Sequence, residues 1–194
     1  TKLLYDVEQL DVEEKYILSK LNNAIKNVTE KMDKYLINEV PALIEDVFLE
    51  LSRTYIQMVR DKAAQGNDEE RKIVLYTLYN VFFETVKMFS IVCPFISEKI
   101  YLNLRDEFGL KEESVHLFKW PKFDAEKIHP KLEKNVEIVK NILQVAANAR
   151  EKIQLGLKWP LQEMIVETNN QDAIDAIEEL EKILQTNPYR QALH

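Results

Sequence analysis

Apolar residues recur every three or four positions over most of this chain, and strand-type alternation is confined to short runs. From Asp11, read as an N-cap, Ile17, Leu21, Ile25, Val28 and Met32 form one helical stripe that predicts a long first helix. A second starts near Asn38, with Glu39 and Pro41 in its first turn, where the missing proline N–H has no intrahelical partner to lose. Its stripe is Ile44, Val47, Phe48, Leu51, Tyr55 and Met58, and it ends near Gly66-Asn67. A third runs from about Asp68 to Val92 with Val74, Leu78, Val81, Phe82, Thr85, Phe89 and Val92 inward, and Pro94 opens a fourth that reaches about Phe108. The expected fold is mainly α: an antiparallel helical bundle.

The helical period then lapses. Residues 109–131 hold Gly109, Pro121, Pro130 and one β-like run, Ser114-Val115-His116-Leu117-Phe118, and read as a long connection. A fifth helix follows from Leu132 to about Leu155. Beyond it Met164-Ile165-Val166 reads as a strand and Ala173 to Leu184 as an acidic helix, with Ile174, Ile177, Leu180 and Ile183 or Leu184 inward. The expected organisation is a bundle over 1–160, the start of a small α/β appendage over 161–187, and a tail over 188–194. The predicted strand has no obvious partner in this chain.

Composition removes whole classes of function. Three glycines among 194 residues cannot build a Gly-rich phosphate cradle. The single cysteine, Cys93, lies in the apolar run Phe89 to Phe95, which predicts a buried thiol in a reducing, cytoplasmic compartment. No run approaches the roughly 18 apolar residues of a membrane span, so no membrane partner is expected. Asp6, Glu8, Asp11, Glu13 and Glu14 make the N-terminal stretch unlike a signal peptide. His116, His129 and His194 lack metal-ligand spacing, and no Ser/His/Asp or Cys/His set can be assembled. Neither a metal site nor a catalytic set is expected. Acidic pairs such as Glu112-Glu113 read as solvated surface.

Charge and aromatic placement point elsewhere. Both tryptophans occur in the same tripeptide, Lys119-Trp120-Pro121 and Lys158-Trp159-Pro160. Proline turns the residue before it off the helical path, and a ring beside a cation suits an unstacked base next to a phosphate. The structural alternative, a loop tryptophan capping the core, is the commoner use of such a residue. The net charge of −7 is unevenly spread: 15 basic against 21 acidic side chains over residues 1–113, nine against five over 114–160, and two against seven over 161–194. On the second helix Arg53, Gln57 and Arg60 fall on the face opposite the apolar stripe, where they can grip phosphates or where Arg53 can pair with Glu50 and Asp46. Intrahelical pairing is the simpler reading of Arg53 taken alone. On the fifth helix the stripe Leu132, Val136, Val139, Leu143, Ala146 continues onto Arg150, which either ends the core in an ion pair or emerges where a ligand supplies an anion. Lys31-Met32-Asp33-Lys34-Tyr35 faintly resembles a lysine-rich nucleotide loop, but Met32 continues the core stripe and no nucleotide fold surrounds it.

Tyr16 to Asn22, Glu50-Leu51-Ser52-Arg53-Thr54-Tyr55-Ile56 with Arg60, Pro94 to Tyr101, and Ser114-Val115-His116 followed by Trp120-Pro121 resemble, in that order, the anticodon-binding domain of isoleucyl-tRNA synthetase of the archaeal and eukaryotic type. The resemblance runs from about Glu14 to about Asn187. Several of these motifs are shared with valyl-tRNA synthetase; Ala149-Arg150-Glu151-Lys152-Ile153 leading to Leu157-Lys158-Trp159-Pro160-Leu161 is similar to the isoleucyl form. The resemblance implies a helical module of a class I synthetase that docks the anticodon arm of tRNA. The longer enzyme would join isoleucine to tRNA with ATP and magnesium, while this chain alone is non-catalytic and needs no cofactor. Its implied partners are tRNA and the catalytic domain of the same parent, and a monomer is expected. The resemblance carries tRNA binding over to Arg53, Arg60, Lys62 and Arg150; together with the residues singled out by pattern, the expected tRNA-binding set is Arg53, Gln57, Arg60, Lys62, Lys119, Trp120, Arg150, Lys152, Lys158 and Trp159. Lys62 and Lys158 stand where family members often carry arginine. A helical protein-interaction module without RNA binding is the rival class.

Overall fold

In the computed structural model, which describes residues 10–154 and 165–180, the first predicted helix is α1, Val12–Asp33, with Ile17, Leu21, Ile25 and Val28 buried at the expected spacing. Asp11 has the extended backbone of an N-cap, but its carboxylate does not bond the free N–H groups of α1. It pairs instead with Lys62 Nζ at 2.8 Å, a full charge being a stronger partner than an amide. α1 closes on Tyr35, a left-handed residue at φ 58, with Leu36 N–H donating to Lys31 O and Tyr35 N–H to Met32 O. Lys31 to Tyr35 is therefore a helix end.

The second predicted helix is a broken path. A 3₁₀ turn, Ile37–Glu39, leads into α2, Val40–Leu49, then a π-helical turn, Glu50–Tyr55, a short α3, Ile56–Met58, and α4, Arg60–Gln65. Ile44, Val47, Leu51, Tyr55 and Met58 are buried, as the stripe predicts; Phe48 is 42% exposed. Gly66 and Asn67 turn the chain. Asn67 caps α5, Asp68–Phe89, by accepting from Glu70 N–H while the Glu70 carboxylate accepts from Asn67 N–H.

α5 ends three residues before the predicted Val92, since Pro94 keeps Cys93 out of the helical region at φ −124 and ψ 67. Cys93 is half-buried rather than buried. α6, Pro94–Phe108, stops at Gly109, whose φ of 62 suits glycine, with Leu110 N–H returning to Arg105 O. The β-like run at 114–118 is a 3₁₀ turn, Val115–Leu117. Glu98 explains this: its carboxylate accepts from Ser114 Oγ and Val115 N–H, so the local backbone is satisfied without a strand partner. Val86, Tyr101 and Val115 form a core here, and Phe118 meets Phe83 and Tyr101 edge-on at 5.2 and 5.4 Å.

Two compact units divide at Ile128/His129, inside the predicted connection. In the second unit α7, Pro130–Lys152, packs against α8, Gln171–Glu179. Leu132, Val136 and Val139 are buried, as are Ala173, Ala176 and Leu180. Lys134 pairs with Asp172 at 2.7 Å, and Asn135 donates to Glu179 at 2.6 Å. Ile165 and Val166 lie in irregular backbone, and no strand occurs among the described residues. A lone strand would leave its N–H and C=O groups unpaired. Met164, Ile183 and Leu184 lie outside the described residues. Among those described, no helix is long and apolar enough to cross a membrane.

Candidate nucleic-acid interface

Arg53, Gln57 and Arg60 are exposed on successive turns of the second helical path. The carboxylates that Arg53 was expected to pair with are engaged by α1: Asp46 by Lys20 at 3.2 Å and Glu50 by the Tyr16 hydroxyl at 2.6 Å. The intrahelical pairing of Arg53 is thus replaced. The π-helical turn alters the α-helical register on which that pairing relied, and α1 supplies other partners. Among the described residues the side chains of Arg53 and Arg60 take part in no hydrogen bond or ion pair.

Lys62 has a structural setting instead. Its ammonium contacts Asp11 at 2.8 Å and fully buried Glu14 at 2.9 Å, and its side chain is 14% exposed. Burial alone would lower its pKa, but the hydrogen bonds it donates to both carboxylates and their charges outweigh it and hold the pKa above the ordinary lysine value. The buried Tyr55 hydroxyl donates to Glu14 at 3.3 Å. Its phenol is pushed upward by burial first and by the Glu14 charge second. Desolvation likewise raises Glu13. Asp11, Glu13 and Glu14 converge here, and the lysine ammonium is the cation that serves Asp11 and Glu14.

Trp120 meets the capping expectation on one edge. Its Nε1–H donates to Thr29 Oγ1 at 2.9 Å, and the Thr29 hydroxyl donates on to Ile25 O at 2.7 Å. Nearby, Asp124 N–H donates to Asn22 Oδ1 at 2.7 Å, so the loop is tied to α1 at two points. The half-buried ring also lines a cleft of about 340 Å³ with Lys87, Lys119, Lys122 and Lys127. Lys87 is held by Glu84 at 2.6 Å and lies over Phe83; Lys127 is 3.4 Å from Asp124. Lys119 and Lys122 are exposed. Sequence reasoning found Lys119 and missed the other three. Lys122, directly after Pro121, was findable as part of the same basic loop, whereas Lys87 is brought in from the end of α5 only by packing.

A larger groove of about 980 Å³ runs between the second helical path, α5 and α6, with Phe48, Ile56, Leu75 and Phe108 among its walls. Lys72 is its one charged lining residue, and it pairs with Glu69, so this groove offers a polyanion little. In the second unit Arg150 is buried at 6% exposure, whereas Lys152 is exposed. Lys158 and Trp159 lie outside the described residues.

Residues 14–165 match the family model described as the anticodon-binding domain of tRNA ligase. The chain is 34% identical over 183 residues to the isoleucine–tRNA ligase of Pyrococcus furiosus, covering 92% of this chain and 17% of that protein. It is 35% identical over 185 residues to that of Methanosarcina mazei, covering 93% and 18%, and 34% identical over 174 residues to that of Pyrococcus horikoshii, covering 89% and 16%. The chain therefore spans less than a fifth of the length of these curated relatives. With a helical bundle and a family match over most of its length, the chain belongs to the anticodon-binding domains of tRNA ligases.

Proposed function

We propose that this chain docks the anticodon arm of isoleucine tRNA as a non-catalytic module of a longer isoleucine–tRNA ligase, whose other domains carry out ATP- and magnesium-dependent attachment of isoleucine. The family match supports the module, and the relatives' names support the amino acid. The observation that carries the mechanism is the exposure of Arg53, Gln57 and Arg60 on one helical path with no carboxylate on either guanidinium among the described residues. Each guanidinium can hold a phosphate of the anticodon stem bidentately, and Gln57 between them can bond a sugar or phosphate oxygen. Lys119 and Lys122 beside Trp120 extend the cationic surface. Lys152 and Lys158 serve phosphates, and a splayed base stacks on Trp159. Lys62 contributes by holding α4 to the start of α1.

Binding of the full chain to isoleucine tRNA, valine tRNA and an anticodon-swapped isoleucine tRNA, at two salt concentrations, tests this reading. The expected result is anticodon-dependent binding that weakens with salt. Arg53→Ala and Arg60→Ala should each weaken it severalfold and each lower the log–log salt slope by about 1, with folding stability changed by less than about 0.5 kcal/mol. Equal binding of the three tRNAs, or unchanged binding in both arginine variants, refutes the proposal. Preference for valine tRNA replaces the amino acid and keeps the module.

A further inference from the structure

The turn that carries Arg53 is π-helical, Glu50–Tyr55, with Ile56 N–H reaching back five residues to Leu51 O. Such turns are rare and recur at functional sites, because one extra residue in the turn re-aims the side chains it carries. Both ends of this one are fastened to α1. At its first residue, the Glu50 carboxylate accepts from Tyr16, whose ring is 2% exposed. At its last, fully buried Tyr55 donates to fully buried Glu14, which also accepts from Lys62 on both of its oxygens. Between these two fastenings lies exposed Arg53. Tyr16 and Lys20 also occupy Glu50 and Asp46, the acidic side chains one and two turns before it, so the Tyr16 contact that secures the turn also helps, with the Lys20 pair, to leave the guanidinium available.

We infer that Tyr16 and Tyr55 are positioning residues: through Glu50 and Glu14 they hold the two ends of the π-helical turn on α1 and so fix the direction in which Arg53 is presented to RNA. The inference rests on the reading that Arg53 contacts the tRNA. A phosphate contact of this kind depends on direction, since a bidentate guanidinium bond is lost when the fork rotates. The hydroxyl of Tyr16 would then matter to RNA affinity although it lies in the core and touches no RNA.

The test is a double-mutant cycle in the full chain, with isoleucine tRNA as the probe. Tyr16→Phe keeps the ring and its packing and removes only the hydroxyl. It is expected to weaken binding by about threefold to tenfold when Arg53 is present and to have no effect on binding in the Arg53→Ala background. Glu50→Gln keeps an oxygen for the Tyr16 hydroxyl and is expected to retain the affinity, whereas Glu50→Leu loses it with the same dependence on Arg53. If Tyr16→Phe weakens binding equally in both backgrounds, or leaves it unchanged while Arg53→Ala weakens it, the positioning role is overturned. Glu50→Gln behaving as Glu50→Leu overturns it as well. If Arg53→Ala itself leaves binding unchanged, the underlying reading of Arg53 fails, a result distinguishable from the other three.

Discussion

Trp120 shows what one residue reveals in sequence and what it withholds. The Lys-Trp-Pro tripeptide announces a ring off the helical path, yet its partner Thr29 stands 91 residues earlier and no local pattern connects them. The same holds for Arg53. A helical wheel places it outward, as found, but whether Asp46 and Glu50 neutralise it depends on Lys20 and Tyr16 of another helix. Lys62 is the harder case, since a lysine on a helix reads alike whether it faces a phosphate or buried Glu14. Trp120 has both a buried edge and a cleft-lining face, so truncation should act on stability first. Trp120→Ala is expected to cost about 3 kcal/mol in urea unfolding, while Trp120→Phe, which loses the bond to Thr29 and keeps most of the packing, costs about 1 kcal/mol. Equal stability of Trp120→Ala and the unmodified chain would show that the loop does not brace α1.

At the scale of elements, the helices were legible where apolar spacing was regular and a cap or proline marked the end. α1 follows the expected stripe through Val28 and α7 through Val139, and α6 keeps its expected bounds. In α5 Val74, Val81 and Thr85 are buried as expected, whereas Leu78, Phe82 and Phe89 are half-buried and Ile73, Thr77 and Met88 are buried beside them. The π-helical turn was not legible, because the spacing of Leu51, Tyr55 and Met58 also suits an α-helix and the choice is made by contacts with α1. The strand expected around Ile165 failed for a related reason: a short apolar run states burial, and only a partner makes it a strand. Gly66, which sequence reading treats as a helix stop, has a more specific requirement. Its φ of −64 is ordinary, but a Cβ there would lie 2.2 Å from the Lys62 carbonyl oxygen, the acceptor of Gly66 N–H. Gly66→Ala must therefore open the end of α4, the element that carries Lys62 to Asp11 and Glu14. The expected cost is about 1–3 kcal/mol, read as a lower urea midpoint with an unchanged slope; an unaltered midpoint would mean that the turn relaxes freely.

The whole molecule carries a net charge of −7, and an RNA-binding role is compatible with that value because its cations and anions are segregated and partly committed to one another. Segment charges alone overstated the basic stretch at 114–160: Lys127, Lys134 and Lys140 all have carboxylate partners. They also understated the acidic first 113 residues, where Arg53 and Arg60 remain exposed. The proposed contacts divide between two compact units, with Arg53, Gln57, Arg60 and the Trp120 cleft before His129 and Lys152, Lys158 and Trp159 after it. The cores described above lie within one unit or the other, so residues 1–128 should fold alone, with a helical far-UV spectrum and one cooperative thermal transition. This fragment should bind isoleucine tRNA more weakly than the full chain and with a log–log salt slope shallower by about 2, for the loss of Lys152 and Lys158. It should still lose affinity on Arg53→Ala. A fragment that folds and retains the full slope would move every phosphate contact into the first unit; one that folds and no longer responds to Arg53→Ala would make recognition by that arginine dependent on the second.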